Sequence, residues 1–269
     1  MSEQTMIAVI GAGKMGEALV SGLLKAGISP DDLLITERYE ERAREFSEQY
    51  SVKAVSNPDA ARQAKTLVLA VKPQDMDGLL AELAPVVTAD HLIVTIAAGI
   101  TTSAIEKRLA QGVPVVRVMP NTPALVGEAM SVVAAGAHAS GHHLEHAEEL
   151  FRPVGKVIRL PESQLDAVTA LSGSGPAYVF YLVEAMTDAG ILLGLPRAIA
   201  HDLIVQTVYG SALMLRDSGE HPVTLREAVT SPAGTTIAAI RELENHGVRA
   251  AFLSALEAAR DRSRELAGQ

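Results

Sequence analysis

Cysteine and tryptophan are both absent from the 269-residue chain, and only 3% of its residues are aromatic. Without cysteine there is no disulfide, no thiolate metal site and no cysteine nucleophile. Almost half of the residues are hydrophobic, so a sizeable core has to be filled with aliphatic side chains. The length allows one large domain or two of ordinary size.

Positive charge, long apolar runs and a leader pattern are lacking as well. The net charge of -9 argues against a nucleic-acid partner, because phosphate binding calls for a basic surface. We expect no membrane partner, since no apolar stretch approaches the roughly 20 residues of a membrane span. The first residues contain no basic region followed by a cleavable apolar segment. These absences predict a cytoplasmic protein.

Short apolar runs alternate with amphipathic segments in the first part of the chain. Alternating strands and helices predict a parallel sheet with right-handed crossovers. We expect two later apolar runs, residues 131–135 and 157–160, to be edge strands that close the sheet. The predicted strands before them are residues 6–10, 33–36, 52–55, 66–71, 91–96 and 115–119.

Only helical patterns follow Pro161, and Lys156 is the last lysine. Gly194 and Gly247 lie where glycine ends a helix. The fold class predicted is α/β, with an N-terminal Rossmann-type doubly wound sheet in residues 1–162 and an all-helical domain in residues 163–269. The predicted helices of that second domain are residues 165–171, 177–193, 197–217, 225–229, 236–245 and 248–266.

A glycine motif follows the first predicted strand. Gly11, Gly13 and Gly16 have the G-x-G-x-x-G spacing, with Lys14 and Met15 between them. In a dinucleotide site the first glycine permits a tight turn, the second lets the backbone approach the pyrophosphate, and the third lets the helix pack on the strand. The position of the motif predicts a nicotinamide dinucleotide; the alternative is a purely structural glycine turn.

The residues that would read the ribose give a mixed signal. Glu37 ends the second strand and could accept the 2′-hydroxyl of NAD, while Arg38 could pair with the 2′-phosphate of NADP. The residues do not decide between the two cofactors, and either side chain could instead point into water.

Loops at the carboxyl ends of later strands are expected to line the nicotinamide, because ligands of such sheets bind there. Two of these loops are residues 70–74 and 97–100, which begin with Ala70 and Ala97. Lys72 could neutralise an anionic ligand or could be a solvated loop lysine. The residues proposed at the cofactor in these loops are Ala70, Val71, Lys72, Pro73 and Ala97.

The Pro-rich segment MPNTPALVG follows at the same sheet edge. Asn121 and Thr122 could reach the nicotinamide amide, or the segment could be a structural turn.

Two small-residue helix starts lie in the helical domain, at residues 172–177 and 230–236. The second, TSPAGTT, has no Lys, His, Asp or Glu. Unpaired N–H groups and the helix dipole attract anions at such an end, so this loop is suited to a small carboxylate. A well-capped helix without a ligand is the alternative.

These motifs resemble pyrroline-5-carboxylate reductase over essentially the whole chain. The resemblance is carried by VIGAGKMGEAL, AVKPQ, RVMPNTPALVG, LSGSGPAYVF and REAVTSPAGTT, in this order and spacing. It implies reduction of 1-pyrroline-5-carboxylate to L-proline with NAD(P)H, the last step of proline biosynthesis. It further implies a helical domain that interlocks with a second subunit, and homodimers often assembled into decamers.

The resemblance also assigns residues. It implies a pyrophosphate loop at residues 11–16, a ribose contact at Asn57 and a cofactor contact at residues 70–73. The implied substrate loop contains Ser231, Gly234, Thr235 and Thr236, and Ser174 is a further candidate for substrate binding. Ala233 departs from the commoner glycine. Glu37 departs from the more neutral residues often found there, although NADP(H) stays favoured over NAD(H).

The chemistry implied fits the lack of a strong base in these loops. A ketone reductase must protonate a developing alkoxide, whereas a protonated cyclic imine accepts hydride directly. Positioning and one hydroxyl near the ring nitrogen suffice, and Thr236 is the candidate for that hydroxyl.

Two other functions stay open. A β-hydroxyacid-type dehydrogenase would need a lysine in the helical domain, which has none. A non-catalytic dinucleotide-sensing protein would bind cofactor without consuming it. No metal is expected: no set of Asp or Cys ligands accompanies His138, His142, His143 and His146, which are predicted to form a solvated helix face.

Overall fold

The computed structural model describes residues 6–268. The chain divides into two compact units. The first ends at Ser174 and takes in the chain again from Ala259, while the second is Gly175–Ala258. The strands of the first unit are β1 Ile7–Ile10, β2 Leu33–Thr36, β3 Lys53–Ala54, β4 Thr66–Leu69, β5 Leu92–Thr95, β6 Val115–Met119, β7 Ala129–Ala135 and β8 Gly155–Arg159.

The eight strands form one sheet in the order β3-β2-β1-β4-β5-β6-β7-β8. Strands β1 to β6 are parallel, in the 3-2-1-4-5-6 order of a dinucleotide-binding fold. Strand β7 is antiparallel to β6 and parallel to β8. The order of the strands reverses between β1 and β4, so the ligand crevice of such a sheet lies at their carboxyl ends.

Helices cover both faces of the sheet, as its fully buried central strands require. Leu19, Phe46 and Phe151 pack on one face, and Met76 and Leu80 pack on the other. The helices are α1 Lys14–Lys25, α2 Glu40–Tyr50, α3 Asn57–Gln63, α4 Met76–Leu83, α5 Thr102–Glu106, α6 Gly141–Phe151 and α7 Leu165–Val168.

The second unit is helical. Helices α8 and α9 pack on each other where a Cβ on Gly190 would lie 2.7 Å from Cβ of Ala200. The elements are α8 Gly175–Leu192, α9 Arg197–Ser218, α10 Pro222–Ala228, α11 Thr235–Asn245 and α12 Val248–Leu266, the last of which ends in the first unit. Gly194 and Gly247 have φ of 92° and 65° after α8 and α11, which confirms them as helix-ending glycines.

Large apolar side chains of the second unit are exposed. In α8 the only buried residue is Thr187, and in α9 it is Ala200. Helix α9 is long and apolar enough to cross a membrane by length and composition, with a mean hydropathy of 1.3 over its best 18-residue window, and 6% of that window is buried. The expectation that no segment approaches a membrane span is therefore wrong by length and mean hydropathy. His201 and Asp202 interrupt the apolar run, but the mean hydropathy of the window stays high.

Three further differences from the sequence predictions concern local structure. Strand β7 is not an edge strand, since β8 pairs with it. The break predicted between the helix at residues 165–171 and the helix start at residues 172–177 is instead a π-helical turn, Thr169–Gly173, which follows α7. The first compact unit extends to Ser174, whereas the predicted domain boundary is at residue 162.

Candidate active site

The turn after β1 has the geometry of a pyrophosphate loop. Gly11 has φ of 104°, and a Cβ there would lie 2.8 Å from the carbonyl oxygen of Ala70. A Cβ on Gly16 would clash with the carbonyl oxygen of Gly11, whereas one on Gly13 would meet no protein atom within 4 Å. The first and third glycines are therefore required by the protein's own packing, and the second leaves the turn open to a ligand.

Helix α1 begins directly after this turn. Its N-cap is Gly13, and no side chain caps its first N–H groups. Lys14 is exposed and Met15 is partly buried in the first turn. Unpaired N–H groups on a dipole of positive sign favour a phosphate, so the residues present fit the pyrophosphate of a dinucleotide.

The loop after β4 adjoins the turn after β1. The N–H of Ala70 donates to the carbonyl oxygen of Ile10 over 2.8 Å. Ala70 and Val71 are half-buried, and Lys72 and Pro73 are exposed. Within residues 6–268 no ion pair of Lys72 is found. Both alternatives for this side chain, contact with a ligand and exposure to solvent, therefore stay predictions.

Glu37 and Arg38 follow β2, as predicted. Glu37 accepts a 3.1 Å hydrogen bond from the N–H of Tyr39 through its Oε1 atom. Arg38 is exposed and makes no ion pair in the described part of the chain. The carboxylate is thus tied to the local turn while the guanidinium is free to meet an anion.

Asn57 opens α3 beyond the carboxyl end of β3. Its Nδ2 donates to Oε2 of Glu82 in α4 over 2.8 Å, and the preceding Ser56 is the N-cap. A ribose hydroxyl could therefore bind the amide oxygen of Asn57, or it could bind Nδ2 if the hydrogen bond to Glu82 is broken.

Ala97 and Asn121 lie beyond the ends of β5 and β6. Ala97 is buried, and its N–H donates to Oγ1 of Thr95 over 3.3 Å. Asn121 donates from Nδ2 to the carbonyl oxygen of Ser172 (3.1 Å) and accepts at Oδ1 from the N–H of Met130 (2.9 Å). The Asn121 amide therefore holds two backbone segments together, which favours the structural alternative for this residue; its contact with nicotinamide stays a prediction.

In the second unit, the predicted substrate loop leads into α11. Gly234 is the N-cap, no side chain caps the helix, and no acidic residue occupies its first turn. Gly234 donates to the carbonyl oxygen of Ser231 over 3.1 Å. Thr235 is exposed and Thr236 is half-buried, and neither hydroxyl has a protein partner among the described residues. The loop therefore presents uncommitted donors and no base.

Ala233 adopts φ of 55° in this loop. An L-residue with a Cβ pays a steric cost in this left-handed region, which glycine avoids. The departure noted in the sequence thus lies at a position whose backbone favours glycine.

Ser174 lies after the π-helical turn. Its N–H donates to the carbonyl oxygen of Thr169 over 2.8 Å, so this donor is already used. Only its hydroxyl and the half-buried surface around it are left for the substrate contact that the sequence predicts.

One buried charged residue, Arg117, was not predicted from the sequence. Arg117 in β6 is 3% exposed and pairs with Glu162, whose carboxylate also binds Thr102. The signal was present: a single arginine within the apolar strand VVRVM requires a buried anionic partner.

The histidine cluster is less solvated than predicted. Nδ1 of His143 accepts from the N–H of Ser140 and caps α6, and Nε2 of His146 lies 3.0 Å from Oγ1 of Thr66 in β4. Burial lowers the pKa of His146, and burial followed by the charge of His142 lowers the pKa of His143. No group of three or more potential metal ligands is found in residues 6–268.

The sheet order and the glycine turn define a Rossmann-type dinucleotide-binding protein that carries an additional helical unit. Comparison with family models agrees with this division. Residues 6–99 match a family described as NADP oxidoreductase coenzyme F420-dependent, and residues 162–266 match one described as pyrroline-5-carboxylate reductase dimerisation.

The chain belongs to the pyrroline-5-carboxylate reductase family. It is 47% identical to a pyrroline-5-carboxylate reductase of Corynebacterium melassecola, over 97% of this chain and 98% of that protein. The solved pyrroline-5-carboxylate reductase of Coxiella burnetii is 38% identical with a TM-score of 0.92, covering 98% and 99% of the two chains. The Plasmodium falciparum enzyme, solved with NADP bound, is 28% identical with a TM-score of 0.88 and the same coverage.

Proposed function

We propose that this protein reduces 1-pyrroline-5-carboxylate to L-proline by hydride transfer from NAD(P)H, the last step of proline biosynthesis. The observation that carries the proposal is the α11 start, which offers anion-binding donors and no acid or base. Family membership supports the same reaction, since the curated relatives are named for it.

The substrate carboxylate is held by the loop before α11. Its N–H groups and the dipole of an 11-residue helix favour an anion, and Ser231, Thr235 and Thr236 add hydroxyl donors. Gly234 supports this arrangement because a side chain there would collide with Ser231. Ser174 is a second proposed contact. Because no carboxylate occupies the first turn of α11, no protein anion competes for these donors.

The reaction then needs little from the protein beyond placement. The bound dinucleotide supplies a hydride to the ring carbon of the imine. A substrate that enters protonated on nitrogen becomes the amine without receiving a proton from a side chain. Thr236 is the proposed catalytic residue, whose hydroxyl binds the ring nitrogen as its geometry changes.

NADP(H) is the favoured cofactor, with NAD(H) as the alternative. Support comes from Arg38, which is exposed and uncommitted, and from Glu37, which is tied to Tyr39. The other proposed cofactor contacts are Gly11, Gly13, Lys14, Met15, Gly16, Asn57, Ala70, Val71, Lys72, Pro73, Ala97 and Asn121.

We further propose that residues 1–162 bind the dinucleotide and residues 163–269 bind substrate and dimerise, in a cytoplasmic enzyme. The match of residues 162–266 to the dimerisation model supports this division. The exposed side chains Phe180, Tyr181, Leu203 and Tyr209 are suited to a partner subunit. Dimers that assemble further into a decamer are the proposed larger form.

Loss of NADPH absorbance on adding 1-pyrroline-5-carboxylate, with proline identified as product, tests the reaction. Cofactor binding without consumption would instead identify a dinucleotide-sensing protein. Turnover of β-hydroxyacids with NADP⁺, but not of the imine, would identify the other dehydrogenase class. Light scattering of dilute protein tests assembly, and an active monomer at nanomolar concentration would contradict it.

A further inference from the structure

A buried cation lies behind the loop that follows β5. Arg117 is 3% exposed, and its anionic partner among the described residues is Glu162, with Nη1 of the arginine 3.3 Å from Oε1. The Nη2 atom of Arg117 is buried without a hydrogen-bond partner. A buried guanidinium with one unsatisfied nitrogen depends strongly on its single carboxylate.

Glu162 uses both of its oxygens on one residue of the neighbouring segment. Oε1 accepts from the N–H of Thr102 over 2.8 Å, and Oε2 accepts from the hydroxyl of Thr102 over 2.6 Å. This residue begins α5, but the helix already has an N-cap, because Oγ1 of Thr101 accepts from the N–H of Ala104. The bond to the Thr102 N–H therefore satisfies a further unpaired donor of the first turn, while the bond to the Thr102 hydroxyl is a contact that helix capping does not require.

What the contact does is fix one end of the loop formed by residues 96–101. Its other end is held by the Ala97 N–H, which donates to Thr95, and Thr95 pairs in register with Arg117. In the middle of the loop Gly99 has φ of 73°, and a Cβ there would lie 3.4 Å from Cβ of Leu266. Hydrogen bonds thus hold the loop at both ends, and the backbone at its centre has a conformation that favours glycine.

We propose that Glu162, held by Arg117, is a positioning residue that fixes residues 97–100 against the nicotinamide end of the cofactor. The inference rests on the proposed function, which places Ala97 at that end. Two hydrogen bonds join Glu162 to Thr102. Losing them should displace the loop without replacing any residue that is proposed to contact the cofactor. Small displacements of a positioning element change rates by about 100-fold.

Two double variants with the same charge separate positioning from charge pairing. Arg117→Met/Glu162→Gln removes the buried ion pair. The side-chain amide introduced at position 162 can still accept from the N–H of Thr102 and donate to the Thr102 hydroxyl. Arg117→Met/Glu162→Ala removes the same charges and both bonds. Asp77→Ala, which breaks an exposed ion pair with Arg108, is a control for loss of a surface carboxylate.

For each protein the dissociation constant of NADPH is measured by titration, and kcat and the KM for 1-pyrroline-5-carboxylate by NADPH oxidation. We expect the Ala double variant to bind NADPH about 10-fold or more weakly than the Gln double variant and to show a lower kcat, at an unchanged KM for the imine. The Gln double variant should stay within about threefold of wild type, a difference under 1 kcal/mol.

Equal NADPH dissociation constants for the two double variants would overturn the proposal, because charge pairing alone would then be the role of Glu162. Thr102→Val, compared with Thr102→Ser, repeats the test without disturbing the buried charge. It should raise the NADPH dissociation constant, and no change would count against the proposal. Wild-type protein that binds NADPH but fails to reduce the imine would refute the proposed function, while the dissociation constants would still decide the role of Glu162.

Discussion

Ser263 in α12 donates a 2.7 Å hydrogen bond to Oδ1 of Asp166 in α7, across 97 positions of sequence, and both side chains are buried. This bond joins the last turns of the final helix to the dinucleotide-binding unit. That unit is therefore discontinuous in sequence.

Replacing Ser263 with Ala should destabilise the protein. A buried carboxylate that loses its donor costs about 1–3 kcal/mol, which should appear as a lower melting temperature and a lower denaturant midpoint. Ser254→Ala, at an exposed position of the same helix, is the control and should change stability by less than about 0.5 kcal/mol. Equal effects of the two changes would mean that the Asp166 contact does not contribute.

Gly13→Ala and Gly16→Ala should separate ligand binding from folding. Gly13→Ala meets no protein atom within 4 Å and should cost no more than about 1 kcal/mol as a change of N-cap. Its methyl group points to the open side of the turn and should weaken NADPH binding by roughly tenfold or more. Gly16→Ala forces apart α1 and β1 and should destabilise the fold itself. Titration and thermal melting of both variants check this, and tight NADPH binding by Gly13→Ala would contradict the proposed pyrophosphate position.

Arg38→Ala should weaken NADPH and leave NADH little changed. Losing hydrogen bonds from a charged donor to the 2′-phosphate costs about 1.5–3 kcal/mol, or roughly 10- to 150-fold in affinity. Glu37→Ala removes a negative charge beside that phosphate and should strengthen NADPH binding. Titrating each variant with both cofactors checks the pair. If Glu37→Ala weakens NADPH and spares NADH, the assignment of Glu37 is wrong.

Thr236→Ala should lower kcat/KM by roughly 10- to 150-fold, the cost of one hydrogen bond to a charged group. Cofactor affinity should stay nearly unchanged, because the pyrophosphate turn lies in the other unit. Thr235→Ala should have a smaller effect, since its backbone N–H survives. Unchanged kcat/KM in Thr236→Ala would leave the hydroxyl without a catalytic role.

The central strands were predictable because they consist of short apolar runs bounded by polar residues or glycine. β2 and β6 have the predicted bounds, Leu33–Thr36 and Val115–Met119. The antiparallel direction of β7 was not predicted, although only residues 120–128 separate it from β6, too short a connection for a helical crossover. The length of this connection could therefore have predicted the antiparallel pairing of β6 and β7.

The remaining differences depend on contacts that sequence pattern does not encode. The π-helical turn is defined by a bond from Ser174 to Thr169, five positions earlier, while the glycines there suggested a break. Glu162 meets Thr102 across 60 positions, and nothing local to either residue predicts the pair. The glycine turn and the α11 start were predictable because their function depends on local backbone geometry.

The aliphatic side chains exposed along α8 and α9 have a consequence for handling the enzyme. Attraction between apolar surfaces weakens on cooling, and many of the side chains exposed on these two helices are large and apolar. An assembly joined through them should be cold-labile. Dilute enzyme kept near 0 °C should lose activity over time and regain it on warming, whereas a concentrated stock should not, because mass action favours reassociation.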